Sequence, residues 1–229
     1  MDQLLVALDV DTSRQAEEMA DTLRDLAGGF KIGSRLFTSE GPSLVRTLVE
    51  RGDRVFLDLK YHDIPSVVSS TLRAASALGV WMTTVHTSGG LSMMSAAKEG
   101  AQAGNGQTMV VGVTVLTSLD QVAIEGLGVS RSVGEQVDIL SALAADAGID
   151  GVVASPLELP RLREQHGPNF TIVTPGIRNH ALGDDQTRTL NAREAVLAGA
   201  SYLVVGRPII AADDPRIAAE KICEQMKSR

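Results

Sequence analysis

Eight short aliphatic runs recur along this chain, and each is followed by a longer stretch in which apolar residues return at helical spacing. The runs cover residues 4–8, 30–32, 55–59, 80–85, 109–116, 151–154, 170–174 and 202–205. The helical stretches cover 13–27, with Ser13 placed to cap it, then 42–51, 66–78, 91–103, 133–147, 158–165, 192–198 and 215–226. A longer polar insertion separates the fifth run from its helix. Aromatic residues are only 3% of the sequence, so the core rests on Val, Leu, Ile and Ala. That chemistry suits parallel strands buried on both faces. Eight strand–helix units in 229 residues predict an α/β fold, a TIM (β/α)8 barrel in a single domain spanning 1–229. A doubly wound open sheet is the alternative, and eight evenly spaced units leave no room for its usual irregularities.

The rest of the composition narrows the function. A net charge of −7 argues against a nucleic-acid partner, whose binding face is usually basic, but a few local cations still suffice for an anionic ligand. Cys223 is the only cysteine, so no disulfide forms within the chain and a reducing cytoplasm is the expected location. Cys223 itself reads as a small packed side chain in the last helix. The start of the chain, MDQLLVALDV, is too short in its apolar run and lacks the basic residues of a signal peptide. No stretch approaches about 18 consecutive apolar residues, so no membrane span is expected.

In a TIM barrel the active site gathers where the strands end. Asp9 follows the first strand, Lys31 lies in the second, and Asp58 and Lys60 close the third. His86 ends the fourth, Thr117 and Ser155 follow the fifth and sixth, Arg178 follows the seventh, and Gly206-Arg207 follow the eighth. A rim of satisfied ion pairs would look similar, yet the recurrence of Lys, Asp and Arg at these points favours a site. Two of the strand ends suit an anion. Thr174-Pro175-Gly176-Ile177-Arg178 joins a rigid turn, a glycine that permits close backbone approach, and a cation. Val205-Gly206-Arg207-Pro208 repeats the logic, with Pro208 suited to the first turn of a short helix. Phosphate in such barrels is commonly held after the seventh and eighth strands.

The stretch FLDLKYHDIP, residues 56–65, is the densest in chemistry. Strand alternation puts Asp58 and Lys60 on one side, about 6–7 Å apart along the chain, while Asp63 falls in the loop beyond. Three readings compete: a salt-bridged rim; a metal site built from Asp58, Asp63 and His62 or His86; or a lysine kept as ammonium by flanking carboxylates and acting as a general acid. An imine-forming lysine would need the opposite environment. His62 and His86 taken alone read as hydrogen-bonded structural histidines.

Ala7-Leu8-Asp9, Phe30-Lys31-Ile32-Gly33, FLDLKYHDIP, residues 114–118, TPGIR and VGRPI, taken in this order, resemble the orotidine 5′-phosphate decarboxylase family along the whole chain. The resemblance implies a cofactor-free barrel, without metal, that removes CO₂ from orotidine 5′-monophosphate to give UMP. It implies that Lys31, Asp58, Lys60 and Asp63 form an alternating charge array, with Lys60 the proton donor to the ring carbon. It also implies a homodimer in which Asp63 reaches the partner's site. Asp9 and Lys31 would meet ribose hydroxyls, and Thr117 the nucleotide. Arg178, Gln186, Gly206 and Arg207 would line the base and phosphate end, with the loop 178–188 closing as a lid. Asp58, His62, Ile64, Pro65, Ser66 and Val67 complete the implied substrate contacts. Three rivals stay open. Sugar-phosphate decarboxylases and aldolases with a similar Asp-x-Lys-x-x-Asp pattern use Mg²⁺; a catalytically silent phosphate-binding barrel would lack turnover; and a phosphosugar isomerase would share only the phosphate grip.

Overall fold

The computed structural model describes residues 2–177 and 190–227. Eight parallel strands close on themselves in sequence order: β1 (Leu4–Ala7), β2 (Gly29–Gly33), β3 (Val55–Tyr61), β4 (Met82–His86), β5 (Met109–Val113), β6 (Gly151–Val153), β7 (Thr171–Thr174) and β8 (Tyr202–Val205). β8 pairs back onto β1, with Leu5 beside Val204, so no strand edge is left open. Around them lie α1 (Ser13–Leu23), α2 (Ser34–Glu50), α3 (Pro65–Ala77), α4 (Gly90–Gly104), α5 (Gln121–Gly126), α6 (Val133–Asp146), α7 (Leu159–His166), α8 (Ala192–Leu197), α9 (Arg207–Ile210) and α10 (Pro215–Lys227). The expected TIM barrel is the fold.

Alternation along the strands sorts the aliphatic side chains into two cores. Leu4 and Val6 point outward and pack with the helices, together with Leu57, Val110, Val152 and Leu203. Leu5, Ala7, Phe56, Met82, Val111, Val173 and Val204 point inward and fill the barrel. Their register is level: Ala7 lies beside Lys31, Lys31 beside Phe56, Phe56 beside Met82, and Met82 beside Met109. The far end is plugged by Trp81, packed edge-on against Tyr202 at 5.1 Å with the Arg54 guanidinium over its ring. Apolar side chains therefore fill the interior below the level of Lys31.

Several local expectations shift. Thr12, not Ser13, caps α1: its side chain accepts the Gln15 N–H, and Gln15 answers at the Thr12 backbone. The second helix begins at Ser34 rather than residue 42, and the break at Gly41 (φ 66°) before Pro42 hides its first half from a periodicity count. β5 ends at Val113, three residues before the apolar run does, because Val115 and Leu116 turn into the mouth of the barrel. The polar insertion holds a short helix, α5, capped by Asp120. β3 runs two residues further than expected, to Tyr61, and its pairing slips on the way.

Candidate active site

That slip builds the site. Leu57 pairs with Thr83, but the next pair is Tyr61 with Val85, so four residues of β3 advance while β4 advances two. The extra residues form a bulge, a common device for re-aiming side chains at barrel rims. Lys60 sits in it with φ of 51°, and among the described residues it is the only non-glycine with positive φ. Such a backbone costs about 1–3 kcal/mol and persists only where the surroundings hold it. Of two threonine hydroxyls on β4, only that of Thr84 holds Lys60. Thr83 points outward and donates to the Leu57 carbonyl at 2.9 Å, and Thr84 points inward and accepts the Lys60 N–H at 2.8 Å.

Inside the rim, four charged groups alternate in sign. Lys31 Nζ lies 3.3 Å from Asp9 Oδ1 and 3.7 Å from Asp58 Oδ2, and Lys60 Nζ lies 2.9 Å from the same Asp58 oxygen. The other Asp58 oxygen accepts the Thr84 hydroxyl at 3.0 Å. The Lys31 and Asp58 side chains are only 11% and 12% exposed, so water screens this part of the chain of charges poorly. At about 4 Å and an effective dielectric near 20, each opposite-sign contact is worth roughly 4 kcal/mol before desolvation is subtracted. Each cation faces a carboxylate. Lys60 is the less enclosed cation and faces the opening.

A cavity of about 260 Å³ lies over this array. Asp9, Lys31, Asp58, Lys60, Thr117, Gly206 and Arg207 line it, and its walls include apolar Phe56, Val113, Val153, Val173 and Val204. Pro175, Gly176 and Ile177 enter after β7, and Pro208 enters after β8 beside Arg207. Gly176 adopts φ of 79°, a conformation that favours glycine. Gly206 leaves the backbone bare beside Asp9: a Cβ there would lie 3.4 Å from Asp9 Oδ2. Pro208 occupies the first turn of α9, as its position in the sequence suggested.

The remaining candidates fall elsewhere. His62, Asp63, Ile64, Pro65, Ser66 and Val67 are exposed on the outer surface where β3 runs into α3, and none lines the cavity. The Asp63 carboxylate accepts its neighbour's N–H, that of Ile64, at 2.7 Å, and among the described residues no cation lies within bridging distance of it. Within one chain, then, Lys60 is flanked by Asp58 but not by Asp63. The His62 and His86 rings lie 5.6 Å apart, and burial together with the nearby His62 and Lys60 lowers the His86 imidazole below its ordinary value, against a smaller upward pull from Asp58. Among the described residues no three His, Cys, Asp or Glu side chains gather as metal ligands, so the Asp58–Asp63–His set is not assembled within the chain. Ser155 is buried and caps the short turn that follows β6. Arg178 and Gln186, with the expected lid 178–188, lie outside the described residues.

Sequence reasoning missed Thr84. In VWMTTVH it looks like one of two ordinary strand threonines. The one available signal was parity: two residues before His86 on the same face, it points into the barrel, where a lone hydroxyl needs a partner.

Among proteins of known sequence, the chain is 46% identical to the orotidine 5′-phosphate decarboxylase of Saccharophagus degradans over 225 residues, 98% of this chain and 94% of that protein. It is 47% identical to that of Moorella thermoacetica over 233 residues, 99% of this chain and 92% of the other. Among solved structures, the orotidine 5′-phosphate decarboxylase of Lactobacillus acidophilus superposes with a TM-score of 0.88 at 37% identity, covering all of both chains. That of Pyrococcus horikoshii does so with a TM-score of 0.81 at 27% identity, covering 99% of this chain. Residues 2–222 match the family described as orotidine 5′-phosphate decarboxylase / HUMPS, and the chain belongs to that family.

Proposed function

We propose that this protein decarboxylates orotidine 5′-monophosphate to UMP and CO₂, a step of pyrimidine nucleotide synthesis, without a cofactor. The observation that carries the reading is Lys60, braced by Asp58 and lining a cavity that Arg207 also lines. Loss of CO₂ leaves an electron pair on a ring carbon, C6, that has no adjacent carbonyl or imine to accept it. An ammonium fixed where that charge appears stabilises it before any rearrangement is needed. Lys60 then delivers a proton to C6, and the product is the neutral ring. In this reading Asp58 faces the substrate carboxylate, so loss of neutral CO₂ shifts the negative charge onto C6, away from Asp58 and toward Lys60.

The other residues fit binding roles. Asp9 and Lys31 suit ribose hydroxyls, Thr117 the nucleotide, and Gly206 with Arg207 the phosphate, through backbone N–H and a charge-assisted contact. Arg178 and Gln186 complete the phosphate end in this reading, and the loop 178–188 closes over it on binding. Phosphate contacts made far from C6 supply binding energy for that closure.

We place Asp63, His62, Ile64, Pro65, Ser66 and Val67 against a second subunit. Ile64 and Val67 are 62% and 43% exposed at the start of α3, and Leu91 is 47% exposed at the start of the helix packed beside it, α4. Apolar side chains grouped in this way mark an interface more often than a free surface. A homodimer would cover them and carry Asp63 to the neighbouring array. The Mg²⁺-dependent reading is separated by chelation. Turnover of orotidine 5′-monophosphate that persists in EDTA and is lost in Lys60→Ala supports the proposal, and turnover abolished by EDTA overturns it.

A further inference from the structure

We infer that Thr84 is a positioning residue for the proposed decarboxylation, the group that locks Asp58 and Lys60 into register through a single hydroxyl. This rests on the Lys60 reading above. The hydroxyl is fully buried on the inner face of β4. It accepts the Lys60 N–H at 2.8 Å and donates to Asp58 Oδ1 at 3.0 Å. The direction of both bonds is forced. A backbone N–H only donates and a carboxylate only accepts, so the hydroxyl has one lone pair committed to Lys60 and its only proton committed to Asp58.

Two degrees of freedom are removed by that one group. Lys60 holds a left-handed backbone at a point where the β3–β4 ladder has slipped, and its N–H has lost the strand partner that a regular ladder would supply. The Thr84 oxygen takes that place. At the same time, anchoring Asp58 Oδ1 fixes the rotation of the carboxylate. Its other oxygen, Oδ2, is then presented to Lys60 Nζ at 2.9 Å and Lys31 Nζ at 3.7 Å. Main chain and side chain of the same lysine are therefore referenced to one atom of the neighbouring strand. Thr84 does not line the cavity, so it acts on the reaction only through these two residues.

Thr83 supplies the internal control. It is equally buried on the same strand, and it caps the Leu57 carbonyl at the start of the slip without touching the array. The test compares Thr84→Val, which keeps the shape and removes both bonds, with Thr84→Ser, which keeps both bonds, and with Thr83→Val. Steady-state decarboxylation of orotidine 5′-monophosphate and UMP affinity are measured for each, with Lys60→Ala alongside. A displaced reacting group costs up to about 100-fold in rate, so kcat in Thr84→Val is expected to fall roughly 10- to 100-fold. KM and UMP affinity should stay within about threefold, because no nucleotide contact is lost. Thr84→Ser should recover most of kcat, and Thr83→Val should lower the melting temperature while leaving kcat unchanged.

Near-normal kcat in Thr84→Val overturns the inference, as does an equal kcat loss in Thr83→Val. If Thr84→Val does not fold, failure of Thr84→Ser to retain kcat overturns it equally. Should Lys60→Ala retain turnover, the reading of the reaction itself is lost. A dead Lys60→Ala beside a normal Thr84→Val sinks only the positioning role.

Discussion

Asp58 is the residue on which the site turns, because both of its oxygens are in use. One oxygen meets Thr84 and the other meets Lys60 with Lys31 beyond, so replacing it by Asn removes a charge flanked by two cations. Asp58→Asn is expected to reduce kcat by at least about 100-fold while the protein stays folded, since Asp9 still faces Lys31 and Lys60 is partly exposed. A kcat within about tenfold of the parent would show that the carboxylate is dispensable. Arg207 also lines the cavity, and the proposed reading gives it the phosphate. Losing a charge-assisted phosphate contact costs about 1.5–3 kcal/mol, so Arg207→Ala should raise KM roughly 10- to 100-fold. The residue identities of Asp9, Lys31, Asp58, Lys60, Thr117, Gly206 and Arg207 could be read from the chain because strand ends in a barrel converge on one face. Thr84 could not, because its role depends on a slip in pairing that a one-strand pattern does not record.

At the level of elements, β3 and β6 show what alternation can and cannot tell. The period of two identifies Asp58 as inward-facing, but nothing in DLKY announces that Lys60 takes positive φ. The bulge is held from the neighbouring strand, where the Thr84 hydroxyl takes the place of a ladder bond to the Lys60 N–H. Likewise the early half of α2 is hidden by Gly41, and the end of β5 is set by the barrel's mouth rather than by hydropathy. β6 is short and starts at Gly151, where a Cβ would stand 2.0 Å from the Thr171 carbonyl oxygen of β7. Gly151→Ala is therefore expected to push two paired strands apart and cost about 1–3 kcal/mol, seen as a melting temperature lowered by several degrees with kcat of the folded fraction retained. An unchanged melting temperature would mean that β7 yields without strain. His86, at the end of β4, gives the barrel a pH dependence. Its folded-state value lies below 6.5, chiefly through burial, so on acidification the unfolded chain takes up the proton first. Stability attributable to His86 is complete above that value and declines as pH falls below it. The drop in melting temperature between about pH 7 and about pH 5.5 should be smaller in His86→Gln; an identical drop would assign the effect to other groups.

For the molecule as a whole, closure of eight parallel strands places their C-terminal ends on one face, where the charge array and the loops after β7 and β8 line one cavity. Among the described residues no helix is long and apolar enough to cross a membrane. The repeat of eight units made the barrel legible from the sequence, whereas the relation of Asp63 to the array was not, since one chain leaves that carboxylate on its outer surface. If Asp63 serves the neighbouring subunit, two inactive variants should repair one another. In a mixture of Lys60→Ala and Asp63→Ala chains, a heterodimer holds one intact site and one doubly altered site. Random re-association should then restore about a quarter of wild-type activity, and a mixture no more active than its components would exclude a shared site.

The proposed mechanism depends above all on Lys60 as a metal-independent proton donor. Its most direct test follows the orotate chromophore of orotidine 5′-monophosphate with the parent protein and Lys60→Ala, each in excess EDTA. The parent should consume the chromophore at the rate seen without chelator, and the variant should be slower by about 1,000-fold or more. Turnover by Lys60→Ala near the parental rate, or a parent silenced by EDTA, would contradict the mechanism.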